Sequence, residues 1–477
     1  MDATAAVRPA SGSPSLCTTV ALAAMAGGLG WGIRGQYGHE TGAMIAGLLV
    51  SLTLVLLHCP GGISLRLARA VAWGTIGVAF GGSMTYGQTV GLTHDAALVG
   101  NWEALRWGML GLSLKGALWI GGCGLFLGMG LSGKTYRAVD WAWIMAGMIG
   151  LALVGMRYFN EPFDPAARVL PRVYFSADWR FLPGAELKPR PEVWGGMLLA
   201  LVGAVLYVGV ARGDRLALRL ALFAMLGGAI GFPLGQCIQA FHAWNPQLFQ
   251  TGIGKSIDPI NWWNCMETTF GATWGGVLGL GVWLNRARIA PLNEPVTSTM
   301  PLWLEFVLVA VHIFSLVAEE FVTVAWFSPI ADLALPMGVI PLMAVAGGRL
   351  WPYLMVLPFT LGPIAGKTLR ELAYEDGKIS VGVGWAVYFA APMVIATAFA
   401  FWQAQPARAA QTGRRFAGGT LLFVTWMYYT LNHCFFEFPL LWPTHQRTPN
   451  DLVFLGCAIG LTWAAWRFRD TPLECRT

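Results

Sequence analysis

The sequence predicts an all-α fold: a polytopic transmembrane helix bundle of about fourteen spans in which helical hairpins repeat in parallel. Three observations point there. Of the 477 residues, 56% are hydrophobic and only 12% are charged, against about 25% charged in soluble domains. Apolar runs long enough to cross a bilayer follow one another from end to end. A Gly-rich motif also recurs inside the chain. This composition excludes a cytosolic globular enzyme and a disordered chain. The net charge of +6 is spread over short basic runs between apolar stretches, so no nucleic acid is expected among the partners. The eight cysteines contain no CxxC pair, which removes zinc-ribbon and thioredoxin-type sites. Cys237 and Cys265 read as free buried thiols, with pairing outside the membrane as the alternative.

In chain order, the expected spans lie near 16–35, 40–58, 68–92, 105–131, 138–157, 193–211, 215–240, 266–285, 301–326, 329–347, 350–366, 380–402, 418–437 and 451–467. Prolines 329, 336, 341, 352, 358 and 363 interrupt the region 301–366; such breaks persist where neighbours or water satisfy the freed backbone groups. Residues 1–15 form a flexible cytoplasmic N-terminus. They are not a signal peptide, because residues 24–36 recur later in the chain. Lys and Arg concentrate in alternate loops, among them Arg66 and Arg69, Lys134 and Arg137, Arg212 and Arg215, Arg286 and Arg288, and Arg414 and Arg415. That asymmetry places both termini in the cytoplasm of a bacterial inner membrane. The blocks expected are 16–159 (first hairpins), 160–192 (an extracytoplasmic cap), 193–300 (a block repeating the earlier hairpin) and 301–477 (a C-terminal bundle).

The repeat is explicit. Residues 24–36 read AMAGGLGWGIRGQ and residues 224–236 read AMLGGAIGFPLGQ. Gly87-Gln88 and Gly235-Gln236 are each followed, six residues after the Gln, by a histidine: His94 and His242. Each histidine precedes an Asn-Trp pair, Asn101-Trp102 and Asn261-Trp262, and then KGALWIGG (115–122) or FGATWGG (270–276). Spans 1–2, 3–4 and 7–8 therefore read as related hairpins running in one direction, unlike inverted transporter repeats. Glycine spacing alone is explained by close helix approach. Gln and His recurring at one depth is not.

Polar groups crowd one side on this topology. The expected site draws on Arg34, Gln36, His39 and Glu40 in the first hairpin; Gln88, His94 and Lys115 in the second; Gln236, His242 and Glu267 in the third; and His433 near the end of span 13. A charge in hydrocarbon costs about 2.5–3.5 kcal/mol on insertion scales, so these groups must pair or face water. Arg34 with Glu40, and Lys115 with an acid on another span, are the expected ion pairs. Interfacial caps and interhelical hydrogen bonds account equally well for an isolated Gln or His. The run Arg34 to Glu40, with four strong polar groups in seven residues, favours function. No cofactor is indicated.

Two motifs match a pattern but lack its context. Gly128 to Thr135 fits GxxxxGK[ST], yet a membrane helix rather than a strand leads in. His39-Glu40 opens like HExxH, but Ala43 stands where the second His belongs. His39, His94 and His242 with Glu40 or Glu267 have no diagnostic metal spacing.

The leading functional expectation is a secondary transporter of a small polar or anionic solute with an outward-facing polar cavity. Its partners are the lipid bilayer, the solute and a coupling H+ or Na+. The alternative is an intramembrane enzyme transferring a glycosyl or acyl group from a lipid-borne donor at an extracytoplasmic site.

Overall fold

A computed structural model describes residues 14–35, 40–84, 86–293, 298–321, 347–409, 412–435 and 447–469. The described chain is helical, with no strand among the described residues. In order come α1 (Leu16–Arg34), α2 (Glu40–His58), α3 (Ser64–Ala79), α4 (Gly87–His94), α5 (Trp102–Leu131), α6 (Ala138–Gly155), α7 (Trp194–Leu206), α8 (Arg215–Trp244), the short α9 (Gly252–Ile257) and α10 (Trp262–Asn285). They are followed by α11 (Leu302–Phe321), α12 (Leu350–Leu354), α13 (Val356–Leu369), α14 (Ala391–Ala404), α15 (Gly413–Phe435) and α16 (Thr448–Arg469). Among the described residues, seven helical stretches are long and apolar enough to cross a membrane: Leu16–Arg34, Trp102–Leu131, Val139–Asn160, Trp194–Ala211, Arg215–Trp244, Val381–Ala404 and Thr448–Arg469. Two shorter apolar helices, Gly42–His58 and Leu302–Ser315, accompany them. The chain is thus a multi-pass membrane protein.

Thirteen of the fourteen expected spans overlap a helix, and the remaining one, 329–347, lies outside the described residues save for Gly347. The expected span 68–92 is two helices. α3 ends at Ala79, a tight turn covers Phe80–Ser83, and α4 restarts at Gly87. A window long enough to detect a span averages over this break, whose residues 81–89 (GGSMTYGQT) carry no charge to mark it.

Local sequence sets the helix starts. Asn101 caps α5 by accepting from the Glu103 and Ala104 amides at 3.1 and 3.0 Å. Asn261 caps α10 through the Asn264 amide at 2.8 Å. The recurrent Asn-Trp pair is therefore a helix N-cap, which satisfies backbone donors that have no partner in the first turn. Asp214 does the same for α8, accepting from the Ala217 amide at 3.0 Å.

Helices α1, α2, α3, α5, α8 and α10 pack in that cyclic order, each against the next, and α10 closes back on α1. Glycine permits the tightest crossings. A Cβ on Gly27 would overlap the Gly271 carbonyl oxygen, and the reverse holds for Gly271 against Gly27. Gly116 and Gly228 stand in the same mutual relation between α5 and α8. Backbones this close gain dispersion contacts that a larger residue would forfeit. Around the crossings the Trp31 ring meets Trp119, Trp274 and Phe270 edge to face, with centroids 5.3, 6.1 and 4.6 Å away. Around the ring, α16 packs against α1 and α15 against α2.

Segment 161–193 forms no helix. It folds over α4 and α5 as an ordered cap with Tyr174, Phe175, Ser176 and Asp178 buried beneath it. Cys237 and Cys265 are free thiols, but not buried ones: Cys237 is exposed and Cys265 half-buried.

Candidate functional site

The site grows from the place where α1 stops. Arg34 is the last residue of α1 and is only 2% exposed. Its guanidinium lies 5.2 Å from the Trp31 ring, 5.3 Å from Tyr86 and 4.8 Å from Trp119. Three aromatic faces around one cation offset part of its desolvation. The counter-charge is Glu267 on α10, 1% exposed, with Oε1 at 3.5 Å from Arg34 Nη1. Tyr86 sits between them: Nη1 donates to its hydroxyl at 2.7 Å, and the hydroxyl donates to Glu267 Oε1 at 2.9 Å. Both contacts to Glu267, from Arg34 and from Tyr86, end on the same carboxylate oxygen. The other, Oε2, has no partner at hydrogen-bonding geometry among the described residues, although the Trp263 indole N–H, one turn earlier on α10, is close enough to favour the carboxylate. Gly35 lies directly against it, so that a Cβ there would overlap Oε2.

One turn before Glu267, the Asn264 amide donates to the Gly32 carbonyl at 2.7 Å. Gly32 belongs to the last turn of α1, whose carbonyls have no helical partners. Asn264 therefore ties the end of α1 to α10 and holds Arg34 at the depth of Glu267.

A second buried ion pair lies on the other side of α4. Lys115 Nζ, 1% exposed, meets Glu192 Oε1 at 2.7 Å. It also donates to Thr89 Oγ1 at 2.8 Å. Glu192 takes the Ser176 hydroxyl at 2.8 Å and the Phe175 amide at 2.9 Å. The expected partner of Lys115 was an acid on another span; Glu192 instead comes from the last residues of the cap, where proline-rich polar sequence hid it. Burial pushes the nearby Tyr174 phenol above its ordinary range, and the Glu192 charge adds to this.

A third polar group is Gln236 on α8. It is fully buried and donates to Thr93 Oγ1 at 2.7 Å. Trp244 Nε1 donates to the Thr93 carbonyl at 2.8 Å. Tyr86, Thr89 and Thr93 follow the i, i+3, i+7 spacing of one helical face. α4 thereby touches all three networks: Arg34 and Glu267 through Tyr86, Lys115 and Glu192 through Thr89, and Gln236 through Thr93.

The other expected residues separate from this centre. Gln88 holds the cap: its Nε2 donates to the Lys188 carbonyl at 3.0 Å, and its Oε1 accepts from the Arg190 amide at 3.2 Å. The two Gln of the repeated Gly-Gln pattern thus have different partners. His94 turns back to the Val90 carbonyl at 3.0 Å. His242 meets Asp258 at 2.8 Å and stacks on Trp262 with centroids 4.6 Å apart, near the surface. His433 faces Asp451 at 3.4 Å. Gln36 and His39 lie outside the described residues, as does the Glu40 side chain. Among the described residues, Arg34 pairs with Glu267 rather than within its own hairpin.

Sequence reasoning missed Tyr86, Thr89, Glu192 and Asp451. Tyr86 had a signal: it immediately precedes the recurring Gly87-Gln88. Thr89 had none, since threonine is common in membrane helices.

Residues 128–135 form no phosphate cradle. Gly128 packs on Ala217 inside α5, and Lys134 Nζ donates to the Arg212 carbonyl at 2.9 Å. Among the described residues, no three His, Cys, Asp or Glu side chains gather. What the centre holds is a cation in an aromatic cage, a carboxylate with one unsatisfied oxygen and a phenol bridging them. Such a set can bind an anion or exchange a proton.

No protein-family model matches the sequence, and a search of curated proteins finds no match.

Proposed function

We propose that this multi-pass membrane protein is a secondary transporter that moves a small anionic or polar solute together with a proton. The observation that carries this reading is the caged pair Arg34 and Glu267, bridged by Tyr86, with Glu267 Oε2 unsatisfied. A buried ion pair held through one oxygen recovers little of what desolvation costs. A proton on Oε2 neutralises Glu267 and releases Arg34 from its counter-charge. The Arg34 cage then attracts an anionic group in place of the carboxylate. Loss of the proton restores Glu267 as the occupant and expels the anion. Proton and solute are thereby bound and released together, which is the linkage a coupled transporter requires.

The broken helix α3–α4 supports the same reading, since interrupted helices line substrate sites in transporters. So does the matched packing of the repeated sequences. Gly116 and Gly271 both sit at close crossings, and Trp119 and Trp274 both meet Trp31. We read hairpins α1–α2, α3–α5 and α8–α10 as parallel repeats in a bundle of about fourteen spans. The cap faces outward and both termini face the cytoplasm of a bacterial inner membrane.

A second reading, an intramembrane enzyme acting on a lipid-borne donor, draws on one observation. The cap is pinned over α4 by Glu192 and Gln88, as a lid over a reaction chamber would be.

The test is proton movement. Purified protein in liposomes loaded with a pH-sensitive dye is offered a panel of small carboxylates and phosphate esters. The transporter reading expects at least one anion to drive proton entry in the wild type and none to do so in Glu267→Gln. Proton flux that is unchanged in Glu267→Gln overturns it.

A further inference from the structure

Beside the caged pair lies a titratable cluster that the mechanism above leaves unused. It sits where α15, α16 and α10 meet. Asp451, in the first turn of α16, accepts the Tyr429 hydroxyl at 3.1 Å on Oδ2, and His433 Nδ1 stands 3.4 Å from the same oxygen. Its Oδ1 is buried and takes no hydrogen bond among the described residues. Position in a first turn favours a carboxylate through the helix dipole. That accounts for an acid at 451. It does not account for an acid paired with a histidine and a phenol while one oxygen is left unsatisfied.

The cluster adjoins the two helices that carry the caged pair. Asn450 Nδ2 donates to Cys265 Sγ on α10 at 3.4 Å. One turn further along α16, Phe454 closes on Gly32, beside the backbone that carries Arg34. Arg447, just ahead of α16, is within electrostatic reach of the Glu267 carboxylate. The first turns of α16 therefore carry Asp451 on one side and pack beside the helices of the Arg34–Glu267 cage on the other. His433 is 31% exposed and Asp451 10%, whereas Glu267 is 1% exposed. Exposure falls along this line, as it must between bulk water and a buried acceptor.

We infer that His433 and Asp451 are the proton entry to Glu267. This rests on Glu267 being the proton carrier of the proposed transporter. His433 takes a proton on Nε2 from hydronium in the bulk, which leaves as water. The Nδ1–H bond breaks as its proton passes to Asp451, and an O–H bond forms in its place. The proton moves on to Glu267 Oε2, and Asp451 returns to its anionic form. No oxidant or second substrate is required. The groups facing this line are Tyr429 and His433 from α15, Asp451 and Arg447 from α16 and the turn before it, Asn264 and Cys265 from α10, Arg34 from α1 and Tyr86 from the start of α4. Among the described residues, two carboxylate oxygens, Asp451 Oδ1 and Glu267 Oε2, have no hydrogen-bond donor, and a buried acceptor in that state is one that a proton satisfies.

The experiment is a pH jump followed by infrared spectroscopy on the full chain in lipid nanodiscs, which needs no solute. The carboxylic-acid band of Glu267 is the one lost in Glu267→Gln. Expected results are that His433→Ala and Asp451→Asn slow the appearance of this band by roughly tenfold or more, with its final amplitude retained. Asp451→Glu should keep the fast rate, and added imidazole should restore it in His433→Ala. A purely structural role responds to neither rescue. If the band appears at the wild-type rate in both variants, the entry role is overturned while Glu267 stands as carrier. If no band is lost in Glu267→Gln, Glu267 does not titrate, and the carrier reading falls together with its entry.

Discussion

Gly35 and Glu267 occupy one volume: the Glu267 carboxylate lies where a side chain on Gly35 would be. The residue after Arg34 must therefore lack a Cβ for Arg34 and Glu267 to meet at all. Gly35→Ala should displace Glu267 from Tyr86 and cost roughly 1–3 kcal/mol, the usual range for overpacking. The same change in a Glu267→Ala background should cost less, since the new methyl enters space the carboxylate has left. Thermal unfolding of the four proteins measures the coupling between the two sites. Strict additivity would show that the two residues do not share this volume.

Arg34 and Glu267 are worth more apart from water as a pair than singly. Arg34→Met should lower stability by about 3 kcal/mol, near the lower end for a broken buried pair, because Tyr86 and Arg447 still face Glu267. Adding Glu267→Gln should recover part of that loss, since no buried charge then remains in the pair. The measurement is the unfolding temperature of both single variants and the double variant. A double variant less stable than Arg34→Met would count against the pairing.

Lys115 closes the cap through Glu192. Lys115→Met leaves Glu192 buried with only the Ser176 hydroxyl and the Phe175 amide as donors among the described residues. The cap should open more often. Ala177 packs inward against Leu92, Leu98 and Ala104, and its methyl offers Glu192 no hydrogen bond, so Ala177→Cys in a background free of native cysteines reports on opening. Its reaction with a maleimide should be slow when Lys115 is intact and faster in Lys115→Met. Equal rates would mean that other contacts, such as Gln88 with Lys188 and Arg190, hold the cap alone.

The helices were legible because hydropathy has a length scale. A run such as 215–240 carries its own signal whatever it packs against. The recurrence of Asn101 and Asn261 was legible too, but its meaning was not, since an N-cap shows itself only once the backbone amides it accepts are known. The site was half legible. Arg34, Glu267 and Lys115 stood out because ionised groups are costly among apolar residues. Their partners did not: Glu192 lies in a polar segment where an acid is ordinary, and Tyr86 lies in a break that hydropathy smooths over. Pairings across 233 residues, such as Arg34 with Glu267, are set by which helices become neighbours. The composition of a span says nothing about that order.

Sidedness is directly measurable, and burial decides where to place the probes. Arg414 is 6% exposed and Ser176 is 1% exposed, so a cysteine at either would respond to packing as well as to sidedness. Arg172 in the cap and Arg415 at the start of α15 are both exposed, and each belongs to a different end of the proposed topology. The basic residues near Arg415, with those at 66, 69, 286 and 288, mark the side that the positive-inside rule assigns to the cytoplasm. In intact cells, Arg172→Cys should react with a membrane-impermeant maleimide and Arg415→Cys should react only after permeabilisation. Labelling of Arg415→Cys alone in intact cells would invert the topology. The face of the bundle that admits the proton would invert with it.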